Sequence, residues 1–453
     1  MDASLLFRIA ACKEAYFFYQ LGERANELQR QAPMVPQQIR NQVFAWFSAG
    51  DLHPLSFTRI TNKQFSVQLD RLTTSVDGLV LSKLIYASAS SQAIIKELAL
   101  SVWLLKKRGY YIAKVEVYVI NKEYIREGEL DYKKLFNIED YTKTVIGKSY
   151  RIDEIVPLLV KNGSISMNTT LCRWLDTNCQ YAHKCFAHIP PYSVLNIAHL
   201  AKESKHDLLS SGIVETQDVP REFLSDYQLI QIECDRTKRR HIDKLALAQF
   251  LQKIVYPIYF LDFEAINYAV PMFDRTRALS PLVFQYSLHI LNSQKSRLKH
   301  DEFLAPSDAD PRRAIAERLC GAIGENGTVV AFGATFERTV IRELAELFPD
   351  LRAKLQSIVA KTVDLMIPFE KRWFYHPKMH GSCSLKSVAP AIDSKAAYDG
   401  AIKNGIGAME RYLGLLGETD ETAIASRKEL LSYCEKDTLY MVSIFRALTR
   451  AAR

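Results

Sequence analysis

Asp262 and Glu264 stand two residues apart in YFLDFEAINYAVP, the stretch from Tyr259 to Pro271. The residues before them, Ile254 to Leu261, are rich in β-branched and aromatic types and predict a buried strand. Side chains alternate along a strand, so the two carboxylates share one face. Two like charges side by side at the end of a core strand repel and are costly to take out of water. A cation between them relieves that cost, and hard carboxylate oxygens suit Mg²⁺ or Mn²⁺. The same pair could also lie on the solvated side of an edge strand. The stretch alone leaves both readings open.

A second set of residues lies near the end of the sequence, in SRKELLSYCEKDTLYMVSIFRAL. Tyr433 and Asp437 are spaced i, i+4 and so share one helix face. Cys434, Tyr440 and Met441 flank them, which places Asp437 among apolar neighbours where a lone carboxylate is expensive. Between the two sets the pattern is orderly. Three strands, ending with Leu282–Leu291 and Lys299–Leu304, are expected to form an antiparallel meander with short turns. A helix over Arg312–Ile323, a buried strand over Thr328–Phe332, a helix over TFERTVIRELAELF, a strand in KTVDLM and further helices follow. That order predicts a ribonuclease-H-like mixed sheet flanked by helices. On such a frame Asp262 and Glu264 on the first strand, Glu337 at a strand-to-helix turn and Asp437 on the last helix converge at one end of the sheet. Asp364 is expected as a strand-end acid supporting them. Ser384 and Lys386, in HGSCSLKSVAP, precede a helix start, where backbone amides suit a phosphate and Ser384 suits a cap.

This constellation resembles the DEDD superfamily of 3′–5′ exonucleases, in the subtype whose third motif is Tyr-x-x-x-Asp. Asp262 and Glu264 match the first motif, and Tyr433 and Asp437 the third. GATFERTVI matches the second, with Glu337 where that superfamily has Asp, so the charge is kept and the reach is one methylene longer. The resemblance implies two Mg²⁺ or Mn²⁺ ions held by Asp262, Glu264, Glu337 and Asp437. One ion would lower the pKa of a water and the other stabilise the leaving 3′-oxygen. Tyr433 would orient that water, because a phenol with a pKa near 10 is a poor base at neutral pH.

With 453 residues the chain is expected to hold two domains. Hydrophobic content of 48% and charged content of 24% describe a globular protein. Neither a signal peptide nor a membrane-length apolar run is apparent, so the chain is expected in the cytoplasm. A net charge of +8 favours a polyanionic partner. Residues 196–250 are expected to be a helical connector, and its run CDRTKRRHIDK a solvated face. Residues 251–453 then form the ribonuclease-H-like domain.

Three of the eight cysteines, Cys172, Cys179 and Cys185, crowd into LCRWLDTNCQYAHKCFAHIPPY and suggest metal or cluster ligands with a fourth elsewhere. Cys12, an α/β segment and then this trio resemble the RecB-type nucleases of the PD-(D/E)xK superfamily, nearest the CRISPR-associated and AddB-like members. That resemblance covers about residues 5–195 of a domain expected over residues 1–195. It implies an iron–sulfur cluster of the 4Fe–4S type on Cys12, Cys172, Cys179 and Cys185; a Zn²⁺ site using His183 or His188 is the alternative. The chemistry of that superfamily looks lost here. Asp70 suits its Asp, but Tyr86 and Ser88 occupy the Glu and Lys positions and Ser101 the glutamine position. The N-terminal half is therefore expected to be a pseudonuclease that binds or supports. Several stretches, INKEYIREGELDYKKLFNIEDYTKTV among them, resemble one uncharacterised bacterial family that joins a RecB-like to a ribonuclease-H-like domain. Two function classes follow. One is a 3′–5′ exonuclease acting on a single-stranded end of DNA or RNA; the other is a non-catalytic nucleic-acid-binding or scaffold subunit. Protein partners in a repair or phage-defence assembly are expected in either.

Overall fold

Mixed sheets and helices make up both compact units into which the chain divides, residues 1–188 with 267–281 and residues 189–266 with 282–453. The structure, a computed structural model, describes residues 34–62, 65–160, 179, 181–396, 400–415 and 420–453. No helix among the described residues is long and apolar enough to cross a membrane.

In the first unit, α1 (Gln37–Phe47) is followed by a small hairpin of β1 (Arg59–Thr61) and β2 (Ser66–Gln68). A four-stranded sheet then runs in the order β3 (Arg71–Ser75), β4 (Gly78–Leu84), β5 (Ile112–Ile120) and β6 (Phe136–Asp140). The β3–β4 and β5–β6 pairs are antiparallel and the β4–β5 pair is parallel. A parallel pair needs a crossover, which α2 (Gln92–Lys107) supplies. Ser91 starts α2 by accepting a hydrogen bond from the Ile94 amide. The apolar face of α2 packs Leu98, Val102 and Leu105 with Val115 and Val117 of β5, and α3 (Thr142–Val160) adds Val145 and Ile152.

Asp70 does not stand ready for chemistry. Lys83 on β4 donates to its carboxylate at 2.8 Å and to Glu97 of α2 at 3.0 Å. Burial pushes the Asp70 carboxyl up, and the Lys83 ammonium opposes that shift. Tyr86 is half-buried beneath the Arg40 guanidinium, Ser88 is exposed, and buried Ser101 donates to the Glu97 carbonyl. An ammonium thus occupies the space between the two acids of this face. Lys83→Met is expected to destabilise the full chain by about 2–3 kcal/mol in denaturant unfolding, because two partly buried carboxylates lose their shared cation. A change within experimental scatter would show that the trio is mere surface pairing.

The link from β8 (Ile258–Asn267) to β9 (Pro281–Leu291) corrects the expected short turn. Residues 267–281 instead belong to the first unit. There the Ala269 amide donates to the Met34 carbonyl, and the Ala278 amide to Tyr124. The Arg126 guanidinium donates to the carbonyls of Pro271 and Met272. Ala269, Val270 and Ala278 complete an apolar cluster with Val35, Ile120 and Phe136.

The second unit is built on a five-stranded sheet in the order β10 (Lys299–Leu304), β9, β8, β11 (Thr328–Ala331), β12 (Thr362–Asp364). β10 runs antiparallel to β9, whereas β11 is parallel to both β8 and β12. Residues 196–250, expected as a connector, pack inside this unit. They supply α4 (Asp226–Thr237), β7 (His241–Ile242), which pairs with β13 (Phe374–Tyr375), and α5 (Lys244–Leu251). Their basic run from Arg236 to Arg240 is exposed. Alternation along β8 divides its side chains between two cores. Tyr259, Leu261 and Phe263 pack with Ile315 of α6 (Arg312–Ala322), Ile341 and Leu344 of α7 (Thr335–Leu347), and Leu355 of α8 (Arg352–Ala360). Ile258 and Phe260 pack on the other side with Val388 of α9 (Leu385–Ile392) and with Met441, Phe445 and Leu448 of α10 (Asp420–Ala451). Asp262 and Glu264 continue the second set.

Candidate functional site

β8 carries its acids just past the residues that hydrogen-bond β11, where Phe260 is opposite Val330. In open sheets this carboxyl end of parallel strands is where ligands gather. Asp262 is half-buried, and Glu264 is buried at 8% exposure. β11 ends at the same level and turns through Gly333, whose φ of +82° suits glycine, into α7. Glu337 lies in the first turn of α7 and is 5% exposed. From α10 come Tyr433, Cys434 and Asp437, all buried. The structure thus brings together all five residues marked in the sequence, and adds Cys434, whose sulfur lies 3.6 Å from Asp262 Oδ2.

One ligating atom each from Asp262, Glu264 and Cys434 lies within 4.8 Å of the other two. Burial, then the charges of Asp437, Glu264 and Glu337, push the Asp262 carboxyl far above its usual range. Burial and Asp437 push Glu264 up to about 8, and burial pushes Glu337 up to about 7. Glu337 Oε2 is buried without a hydrogen-bond partner. The charges of Asp437, Glu264 and Glu337 all act on Asp262, although Glu337 and Asp437 lie outside the group that converges within 4.8 Å; carboxylates gathered in this way, one with an orphaned oxygen, are a donor set that divalent cations fit. The Cys434 thiol is also driven up, by burial first and then by Asp262, so it stays protonated beside these acids.

Lys386 lies on α9, one residue past its first, and does not mark a loose amide site for phosphate. Its ammonium donates to the Tyr433 hydroxyl at 3.0 Å and to the Lys403 carbonyl at 2.6 Å. Burial, then Asp437 and Glu264, push the Tyr433 phenol far up, so it keeps its proton. Ser384 sits at the cap position of α9, but its hydroxyl bonds Ser382 and Ser387 and no backbone amide. A cavity of about 350 Å³ opens beside Tyr433, with Lys428, Ser432, Lys436 and Ile402 in its wall.

Asp364 ends β12 and accepts the amides of Gly333, Ala334 and Met366, each at 2.9 Å. It holds the turn from which Glu337 springs. Asp364→Ala is expected to cost about 2–4 kcal/mol of stability and to weaken divalent-ion binding about 10- to 100-fold. Calorimetric Mn²⁺ titration checks the second number, and unchanged affinity would separate Asp364 from the site.

Of the expected cluster ligands, Cys12 and Cys172 lie outside the described residues. Cys179 and Cys185 are half-buried, Cys185 closing a short helix over Ala182–Cys185. His183 lies on that helix and His188 just beyond it. Two features of the main site had no sequence signal: the Lys386–Tyr433 contact joins residues 47 apart on different helices, and two of the three amides on Asp364, those of Gly333 and Ala334, come from the β11–α7 turn.

Residues 259–384 match a domain of unknown function (DUF2779). That span contains Asp262, Glu264, Glu337 and Asp364 and ends before Tyr433 and Asp437. An uncharacterized protein of Mycoplasma pneumoniae, the MG366 homolog, is 25% identical over 217 residues, 43% of this chain. The match covers 32% of that relative, so the chain spans about a third of its length. No solved structure matches the chain.

Proposed function

We propose that the second unit is a metal-dependent 3′–5′ exonuclease that hydrolyses phosphodiester bonds of DNA or RNA. The observation that carries this reading is the gathering of Asp262, Glu264, Glu337 and Asp437 from three distant segments around half-buried Asp262, whose carboxyl feels the charges of the other three, all buried. A ribonuclease-H-like fold is supported by the strand order, with the acids at the carboxyl end of β8 and on the helix crossing it. Two Mg²⁺ or Mn²⁺ ions held by these four carboxylates would, when bound, neutralise the scissile phosphate and acidify a water. The chain's own groups do the rest. Tyr433 accepts from Lys386 and remains an O–H donor, so it orients a water and removes no proton from it. Lys386 holds that phenol and offsets part of the charge on Glu264. Lys428 and Lys436, in the wall of the adjoining cavity, suit the phosphates of a terminal nucleotide.

The first unit fits a pseudonuclease of the RecB type. Support comes from the parallel β4–β5 pair with its helical crossover and from the Lys83 ammonium standing between Asp70 and Glu97. Cys12, Cys172, Cys179 and Cys185 are proposed to hold its iron–sulfur cluster; in the second unit, exposed Arg239 and Arg240 suit a nucleic-acid backbone. The test is purified full-length protein with Mg²⁺ or Mn²⁺ and end-labelled single- and double-stranded DNA and RNA. Stepwise release of 3′-terminal nucleotides is expected. Intact substrate under every metal and polymer, with Mn²⁺ binding demonstrated in parallel, would leave a binding protein in its place.

A further inference from the structure

A second group of ionisable side chains lies on the same sheet face, further toward its β10 edge. His300 of β10 is opposite His289 of β9, and their rings stack at 4.4 Å with 24° between planes. One ligating atom each from His289, His300 and Glu435 of α10 lies within 4.8 Å of the other two. Glu302, two residues along β10 from His300, feels the charges of both His300 and Glu435.

One self-consistent assignment of the hydrogen-bond chain leaves a lone pair on one ring nitrogen of each histidine. The Thr438 hydroxyl donates to the Glu435 carbonyl at 3.0 Å. In this assignment its one hydrogen is engaged there, and it accepts from Ser287 Oγ and from His289 Nδ1, both at 2.7 Å. Ser287, its own hydrogen now engaged, must accept from His300 Nε2 at 2.9 Å. His289 is therefore protonated on Nδ1 with a lone pair on Nε2. His300 is protonated on Nε2 and turns its other nitrogen, Nδ1, toward Glu435 Oε1 at 3.8 Å. An imidazole anchored through one N–H, with its other nitrogen beside a carboxylate, is the usual arrangement of a metal-ligating histidine.

We propose that His289, His300 and Glu435 bind a divalent transition-metal ion such as Zn²⁺, at a site separate from the four acids around Asp262, with Glu302 available as a further ligand. Two imidazoles and a carboxylate suit that class of ion better than Mg²⁺. Seating it requires the stacked rings to splay and Glu435 to swing inward. The side chains of His300 and Glu435 are 23% and 45% exposed, which gives an ion entry. The ion would fasten the β9–β10 edge to the helix that carries Tyr433 and Asp437. The inference stands whether or not the chain is a nuclease.

The test titrates Co²⁺ alone into full-length protein carrying Asp262→Asn and Asp437→Asn, so that the first set of acids is disabled. One equivalent should bind with visible d–d bands and no thiolate charge transfer, which sets it apart from the cysteines. Adding His300→Ala or Glu435→Gln, both at accessible positions, should remove that one equivalent and the rise in Tm that Zn²⁺ gives. Adding the buried His289→Ala should do the same where it folds. Equal Co²⁺ uptake with and without His300→Ala overturns the proposal. So does a proton-only pair, in which nitrogen NMR shows His300 doubly protonated and unmoved by Co²⁺.

Discussion

An Asp437→Asn variant is expected to lose the proposed exonuclease activity by about 10³-fold or more while its metal-free form becomes harder to unfold. The two effects share one cause. The Asp437 charge is, after burial, the largest contribution pushing up Asp262, Glu264 and Tyr433. Removing it relieves repulsion inside a buried cluster, a gain on the order of 1–2 kcal/mol at alkaline pH. The amide cannot supply the ligand charge the cations need, so the rate falls. Asp262→Asn should behave in the same way. End-label assays and denaturant melts on the same preparations check both signs. Full activity, or lost activity with lower metal-free stability, would show that Asp437 serves the fold.

The second large effect is a pH dependence that metal reverses. Glu264 and Glu337 hold protons to about pH 8 and about pH 7 in the folded chain. In an unfolded chain glutamate releases its proton near pH 4.3. Raised folded values mean that the stability these groups contribute is present below about pH 4 and lost as pH rises through 7 and 8. The metal-free protein should therefore lose on the order of a few kcal/mol between about pH 5 and about pH 9. Millimolar Mg²⁺ should restore most of that loss at the alkaline end. Its affinity should rise about tenfold per pH unit for each proton displaced. Thermal melts with chelator or Mg²⁺ across this range decide it: a flat metal-free curve, or one that rises toward pH 9, would remove the case for a proton-loaded carboxylate cluster.

Much of this site was legible in the sequence because its residues obey local periods. Asp262 and Glu264 are two apart on a strand, and Tyr433 and Asp437 four apart on a helix, so each pair's shared face follows from backbone geometry alone. Lys299–Leu304 has in the structure the bounds its pattern suggested. Longer-range features were not legible. Lys386 reaches Tyr433 only because α9 packs on α10, and Lys83 meets Glu97 only because α2 folds back over β4. The stretch after Asn267 misled for a different reason. Its Tyr, Ala, Val and Pro residues suit a turn or an apolar contact equally well, and only the partners Met34, Tyr124 and Arg126 decide between them.

That stretch, residues 267–281, bears on the order in which the protein is made. The first unit's apolar cluster of Val35, Ile120 and Phe136 is closed by Ala269, Val270 and Ala278, which the ribosome supplies only after β8 has emerged. Domains commonly fold one after another as they emerge from synthesis, N-terminal first. Here the earlier-made unit must wait, incomplete, for a piece encoded inside the later one. Cutting the gene at the apparent boundary near residue 195 would leave the N-terminal product with a permanently open core.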